Sequence, residues 1–227
     1  MKNFEYNITQ EKIAPIETQK EKLDKIKKEF ELETDRLGKH IEKGILNSVV
    51  VFNAMGYSTR QSCEGHIEKT ARKEMPFAWI DFEENLEDDK TAIEYKKINE
   101  ELAKFQQENK NHSINDFPEY NKWEELHDNI GEKNKQLGQR IKSILEEFYQ
   151  KNGSSGFDYD IRYFDNYLPE LKPTQAIQME IKNGRPNLNP EYHNFNEEQR
   201  KEFVEKSRLE INRITAFLEK KYLAINQ

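Results

Sequence analysis

Phe157-Asp158-Tyr159-Asp160-Ile161-Arg162-Tyr163 alternates apolar and polar residues without a break, and Thr174-Gln175-Ala176-Ile177-Gln178-Met179-Glu180-Ile181 repeats the pattern a short distance on. Successive side chains of a strand point to opposite faces, so the two runs predict paired strands with one buried face. Asn152-Gly153-Ser154-Ser155-Gly156, the strongest loop signal of the chain, precedes the first run, and Asn183-Gly184 ends the second.

Working outward, Asn196 with Glu197 and Glu198 predicts the start of a final helix whose stripe includes Phe203, Leu209, Ile214, Phe217 and Leu218. On the other side, Trp123, Leu126, Ile130, Leu137, Ile141, Ile144, Leu145 and Phe148 form a clean helical stripe after the start signals Asp116, Pro118 and Glu119. A weaker stripe, Ile98, Leu102 and Phe105, comes before it, so residues 87–151 read as a helical-hairpin insertion. The long stripe must pack along much of its length, as core or as a homodimer interface over residues 119–148. Nearer the N-terminus, Leu23, Ile26 and Phe30 mark one helix. Leu37, Ile41, Ile45, Leu46, Val49, Val50 and Phe52 mark a second that stops before Gly56. Two short strands are expected at residues 58–62 and 77–83, with polar Glu64 to Pro76 between them. Strands thus come in adjacent pairs, which favours an α+β domain over residues 1–227 with an antiparallel or mixed sheet of about four strands and helices on one face. No sequence repeat is present, although the halves echo each other in the order of their elements.

Composition narrows the class. Hydrophobic residues make up only 34% of the chain and charged residues 35%, which predicts a modest core under long, solvated helices. The 11% aromatic content and the regular stripes argue against disorder. A net charge of -7 without a long basic run argues against a nucleic-acid partner. There is no membrane-length apolar run, no signal-peptide stretch, and a single cysteine, Cys63, which cannot form an internal disulfide. A cytoplasmic protein without membrane contact is expected.

Chemistry concentrates in Gly56-Tyr57-Ser58-Thr59-Arg60-Gln61-Ser62-Cys63-Glu64-Gly65-His66. A thiol, hydroxyls, an arginine, a carboxylate and an imidazole gather at the end of a predicted strand, where scaffolds present functional groups. Gly65 would permit a positive φ and turn Cys63 and His66 toward a common point. A small-ligand site is expected here, with Thr59, Arg60, Ser62, Glu64 and His66 orienting the ligand and Trp79 beside Asp81 on the next strand. Tyr57, Phe77 and Trp79 could stack on a base. Arg162, Tyr163, Gln178 and Glu180 would close the same pocket if the sheet joins the two strand pairs.

The segment Thr59-Arg60-Gln61-Ser62-Cys63-Glu64-Gly65-His66, following a helix with Asn53 near its end, resembles a group of uncharacterised bacterial and phage proteins. It is also distantly similar to the wybutosine-synthesising tRNA methyltransferase family, whose pattern is Thr-x-Ser-Ser-Cys-Ser-Gly-Arg. Asn53, Ser62, Cys63 and Gly65 match that pattern, and Thr59 does so with a one-residue offset. Glu64 stands in place of Ser, and His66 in place of Arg. The resemblance covers about a dozen residues and implies a ligand site centred on the loop, with an adenosine-containing molecule as one reading. A phage-type role, sequestering a signalling nucleotide, belongs to the same implication.

Three uses of the segment remain open. It binds a small molecule; or Cys63 is a catalytic nucleophile whose pKa His66 or Arg60 lowers; or Cys63 and His66 chelate a metal through their C-x-x-H spacing. The metal reading has the least support, because nothing in the spacing of His40, His112, His127 or Asp81 completes a ligand set, and no metal or cofactor is designated. Beside these stands a purely structural use, with Cys63 as a small buried hydrophobe and Ser62 and Glu64 bonding the backbone of a turn. In that case the chain would be an interaction protein working through its 87–151 helices, and the sequence does not decide whether it is an enzyme.

Overall fold

The antiparallel pairing of two hairpins organises the molecule. The computed structural model describes residues 17–34, 38–67, 77–86, 88–165, 175–182 and 194–225; the expectations for Leu37, Glu68 to Pro76 and 183–190 lie outside them. Helices α1 (Gln19–Leu32) and α2 (Lys43–Ala54) lead into β1 (Thr59–Cys63) and β2 (Trp79–Phe82). Then come α3 (Lys90–Glu108), a short 3-10 turn at Ile114–Asp116 and α4 (Tyr120–Asn152), followed by β3 (Tyr159–Asp165), β4 (Gln175–Ile181) and α5 (Glu197–Ala224). The four strands form one antiparallel sheet in the order β1-β2-β4-β3. This is the α+β class expected from the paired strand signals. Each half runs helix, outer strand, inner strand, and the two inner strands meet at the centre.

Local chemistry explains the boundaries. Thr18 caps α1 in a reciprocal box with Glu21, and the Thr18 backbone N–H and hydroxyl hold the Glu21 carboxyl below its usual range. Asn196 and Gln199 form the same box at the start of α5. The second helix begins at Lys43, later than the stripe from Leu37 suggests. Gly38 adopts a φ of +74°, outside the right-handed helical region, and His40 is bridged to Thr34, so neither joins the helix.

One sheet face carries Ile80, Phe82, Ile161, Ile177, Met179 and Ile181, all buried, and packs on α2, α4 and α5. Phe52 meets Phe82 edge-on at 5.0 Å. The serine and tyrosine between sheet and α5 fix where β2 starts: Ala78 N–H donates to Ser207 Oγ at 3.2 Å, and Ala78 O accepts from the Tyr159 hydroxyl at 2.8 Å. Burial drives the Tyr159 phenol well above its usual pKa. The stripe of α4 is divided. Leu126 and Ile130 pack with Tyr95, Ile98, Leu102 and Phe117 in a separate cluster, whereas Leu137 to Phe148 join the main core. The hairpin thus comprises α3 and the first half of α4, and the second half of α4 belongs to the body. Leu209, expected on the buried stripe of α5, is 65% exposed, because that face runs through Val204, Ser207, Ile211, Ile214, Leu218 and Tyr222.

Candidate functional site

Position begins with α2. Asn53 near its C-terminus donates to Thr59 Oγ1 at 2.8 Å and accepts from Thr59 N–H at 3.3 Å. This reciprocal clasp explains the Asn53–Thr59 spacing: it joins the helix end to the first residue of β1 across the turn at Gly56, whose φ is +84°. Tyr57 stacks edge-on against Phe52 at 6.3 Å, and burial raises its phenol pKa.

At the other end of β1 the chain bends at Gly65, with a φ of +84°, and Gly65 N–H approaches Cys63 Sγ at 3.3 Å. Two carboxylates then exchange places. Glu42 is the N-cap of α2, yet its side chain makes no capping hydrogen bond to that helix. Its Oε2 accepts from Glu64 N–H at 2.6 Å, and its Oε1 lies 3.1 Å from His66 Nε2. The first turn of α2 is served by Glu64, whose Oε2 accepts from Gly44 N–H at 2.7 Å. Arg208 on α5 clasps the loop. It donates from Nε to Glu64 O at 2.7 Å and from Nη2 to Glu64 Oε1 at 2.9 Å and Gly65 O at 2.8 Å. Arg200 adds a bond to Ile67 O at 3.2 Å. Glu64 therefore spends both oxygens on α2 and Arg208 and positions the loop. The carboxylate that meets the thiol and the imidazole is Glu42. Donor atoms of Glu42, Cys63 and His66 all lie within 4.8 Å of one another, with Cys63 buried and the other two half-buried.

The remaining predicted residues lie on the sheet. Cys63 pairs with Trp79 and Ser62 with Ile80, while the irregularity between Thr59 and Gln61 leaves Arg60 as an extra residue in β1. Arg60 Nη2 approaches Asp81 Oδ2 at 3.4 Å, and Asp81 Oδ1 accepts from Gln178 Nε2 at 2.7 Å. In the second half, Arg162 Nη1 donates to Glu180 Oε1 at 3.1 Å. The two hairpins are alike here: an outer-strand arginine is held by an inner-strand carboxylate. Asp81, Gln178 and Glu180 are 6%, 4% and 4% exposed, whereas the Arg60 and Arg162 side chains are 30% and 34% exposed. Alternation sets Trp79, Asp81, Gln178 and Glu180 on the face opposite the apolar core. Thus β2 and β4 bring both strand pairs onto one surface; the Tyr163 side chain lies outside the described residues.

Sequence reasoning missed Glu42 and Arg208. Glu42 sits at the start of a helix and resembles an ordinary cap, while Arg208 is one of several cations on a solvated helix, 144 residues from Glu64. Neither carries a spacing signal.

Among the described residues no helix is long and apolar enough to cross a membrane. No protein-family model, curated protein or solved structure matches the chain.

Proposed function

We propose that the chain binds a small, polar, anionic ligand of nucleotide-like chemistry on the outer face of its sheet. The observation that carries this reading is the pair of arginine–carboxylate contacts in which the acids are buried and the guanidinium groups are about one third exposed. Burying a carboxylate is costly unless it is paired and hydrogen-bonded. Here both buried acids hold a planar cationic group at a reachable surface, where guanidinium recognises phosphate or carboxylate. Half-buried Trp79, on the same face as Asp81, offers an aromatic plane for a base. Two fixed cations with one flat apolar surface suit a charged ring compound better than a polymer, given the overall charge of -7. Sequestration of a signalling nucleotide is the role consistent with the motif's resemblance, and Cys63, Glu64 and His66 would border the site.

Native mass spectrometry of the purified chain, with identification of released small molecules, is the first test. Trp79 fluorescence is the second, measured in a Trp123→Phe background against mononucleotides and cyclic dinucleotides. Saturable quenching that Arg60→Ala abolishes is expected. Absence of both a co-purifying ligand and any saturable response across the panel would remove the proposal.

A further inference from the structure

We propose that Glu42, Cys63 and His66 form a three-donor site for a divalent transition metal of zinc type. This goes beyond the ligand reading: it stands on its own donor set, although Cys63 and His66 also border the proposed ligand site. The argument starts with the donor set. A thiolate, an imidazole and a carboxylate are the protein ligands that zinc takes, and three of them with an open fourth position is the arrangement of a reactive rather than a closed structural site. The thiolate selects against magnesium and calcium, which prefer all-oxygen shells.

Geometry agrees. Ligands about 2.0–2.3 Å from a tetrahedral ion are separated from one another by roughly 3.3–3.8 Å. His66 Nε2 and Glu42 Oε1 are 3.1 Å apart, and all three donor atoms fall within 4.8 Å. The imidazole and carboxylate are already near ligand spacing, and the thiol would have to close on them by no more than about 1–1.5 Å to seat an ion.

The surroundings resemble a prepared ligand shell. Glu42 turns away from the helix end it nominally caps, and its second oxygen is fixed by Glu64 N–H at 2.6 Å, so one oxygen remains for His66 or an ion. Gly65, at a φ of +84°, permits Cys63 and His66 to face the same point. Arg208 locks the intervening backbone from α5 with two bonds, to Glu64 O and Gly65 O, and its charge is matched by the Glu64 carboxylate at 2.9 Å. A thiolate and a carboxylate with a neutral imidazole would balance a doubly charged ion. Coordination by sulfur takes the thiolate form, so binding releases the thiol proton.

The test uses the full, untagged chain, stripped with chelator and titrated with Co2+ and then Zn2+. Expected is one Co2+ per chain with a thiolate-to-cobalt charge-transfer absorption, displaced by Zn2+. That band should vanish in Cys63→Ser, and affinity should fall at least tenfold in His66→Gln and Glu42→Gln. Circular dichroism and thermal melts of each variant confirm that it folds. Zinc should also protect Cys63 from alkylation in the parent chain. Three results would overturn the assignment: no cobalt binding; binding without the sulfur band or indifferent to His66→Gln, meaning surface carboxylates only; or rapid alkylation of Cys63 unaffected by zinc, which marks the thiol as a free nucleophile. Because Trp79 neighbours Cys63 across the strand pair, nucleotide binding is read on the metal-free chain, and loss of one activity with retention of the other distinguishes the two readings.

Discussion

Gly44→Ala probes how the Cys63 loop is held. A Cβ at position 44 would lie 2.3 Å from Glu64 Oε2 and 3.1 Å from Glu64 Cδ, and its three nearest neighbours all belong to that side chain. The carboxylate would have to leave, breaking its 2.7 Å bond from Gly44 N–H and disturbing its 2.9 Å pair with Arg208. Losing a helix cap costs about 0.5–2 kcal/mol. The ion pair, between a quarter and a third exposed, adds no more than about 1 kcal/mol after solvent screening. Against these losses, alanine is favoured over glycine in a helix by up to about 1 kcal/mol. The net expectation is a destabilisation of about 1 kcal/mol while Glu64 is present. In a Glu64→Ala background the obstruction is gone and the same substitution should stabilise by up to about 1 kcal/mol. The sign therefore reverses, with a coupling of about 2 kcal/mol. Urea unfolding of the four proteins, compared at a common m-value, measures it. If Gly44→Ala had the same effect in both backgrounds within about 0.3 kcal/mol, Glu64 would not be holding the start of α2.

Two further outcomes follow from other parts of the molecule. Asp89 caps α3 by accepting from Ala92 N–H at 3.2 Å, and Lys133, its strongest influence, holds its carboxyl below the ordinary value of 3.8. A depressed folded pKa stabilises the protein above the unfolded value and loses that effect as pH falls, so the melting-temperature gap between parent and Asp89→Ala should be constant down to about pH 5 and close below about pH 4. Tyr159→Phe removes the hydroxyl that donates to Ala78 O at 2.8 Å, and leaving that buried carbonyl without its donor should cost about 1–3 kcal/mol in chemical denaturation. Because burial raises the Tyr159 pKa, its neutral form favours the fold below about pH 10, and the parent should lose stability above that pH more steeply than the Phe variant.

Period-two alternation in the residues around Ile161 and Met179, and helical stripes elsewhere, were sufficient for the α+β class, the paired strands and the divided roles of the sheet faces. These are local signals, because side-chain direction in a strand or helix is set by neighbouring residues. The start signal at Asn196 located α5 for the same reason. Less was legible wherever a local pattern competed with tertiary contact. The apolar stripe read for α2 began before Gly38, whose positive φ lies outside the helix, and Leu209 belonged to the stripe read for α5 but is exposed.

The cluster of functional groups at residues 59–66 was visible in the chain, as was the need for Gly65 to bend it. The partners were not. Which carboxylate meets Cys63 and His66 was decided by α2 presenting Glu42 while Glu64 turned to cap that helix, an exchange that depends on how the loop docks. Arg208 reaches the loop from α5, and Arg60, Asp81 and Gln178 align only because β2 pairs with β4. Hydrogen bonds between residues far apart in sequence leave no spacing signature, since any polar side chain on a solvated helix looks like any other until the chain has folded around it. Local conformation was written in the order of the residues; the identity of each contact was settled by packing.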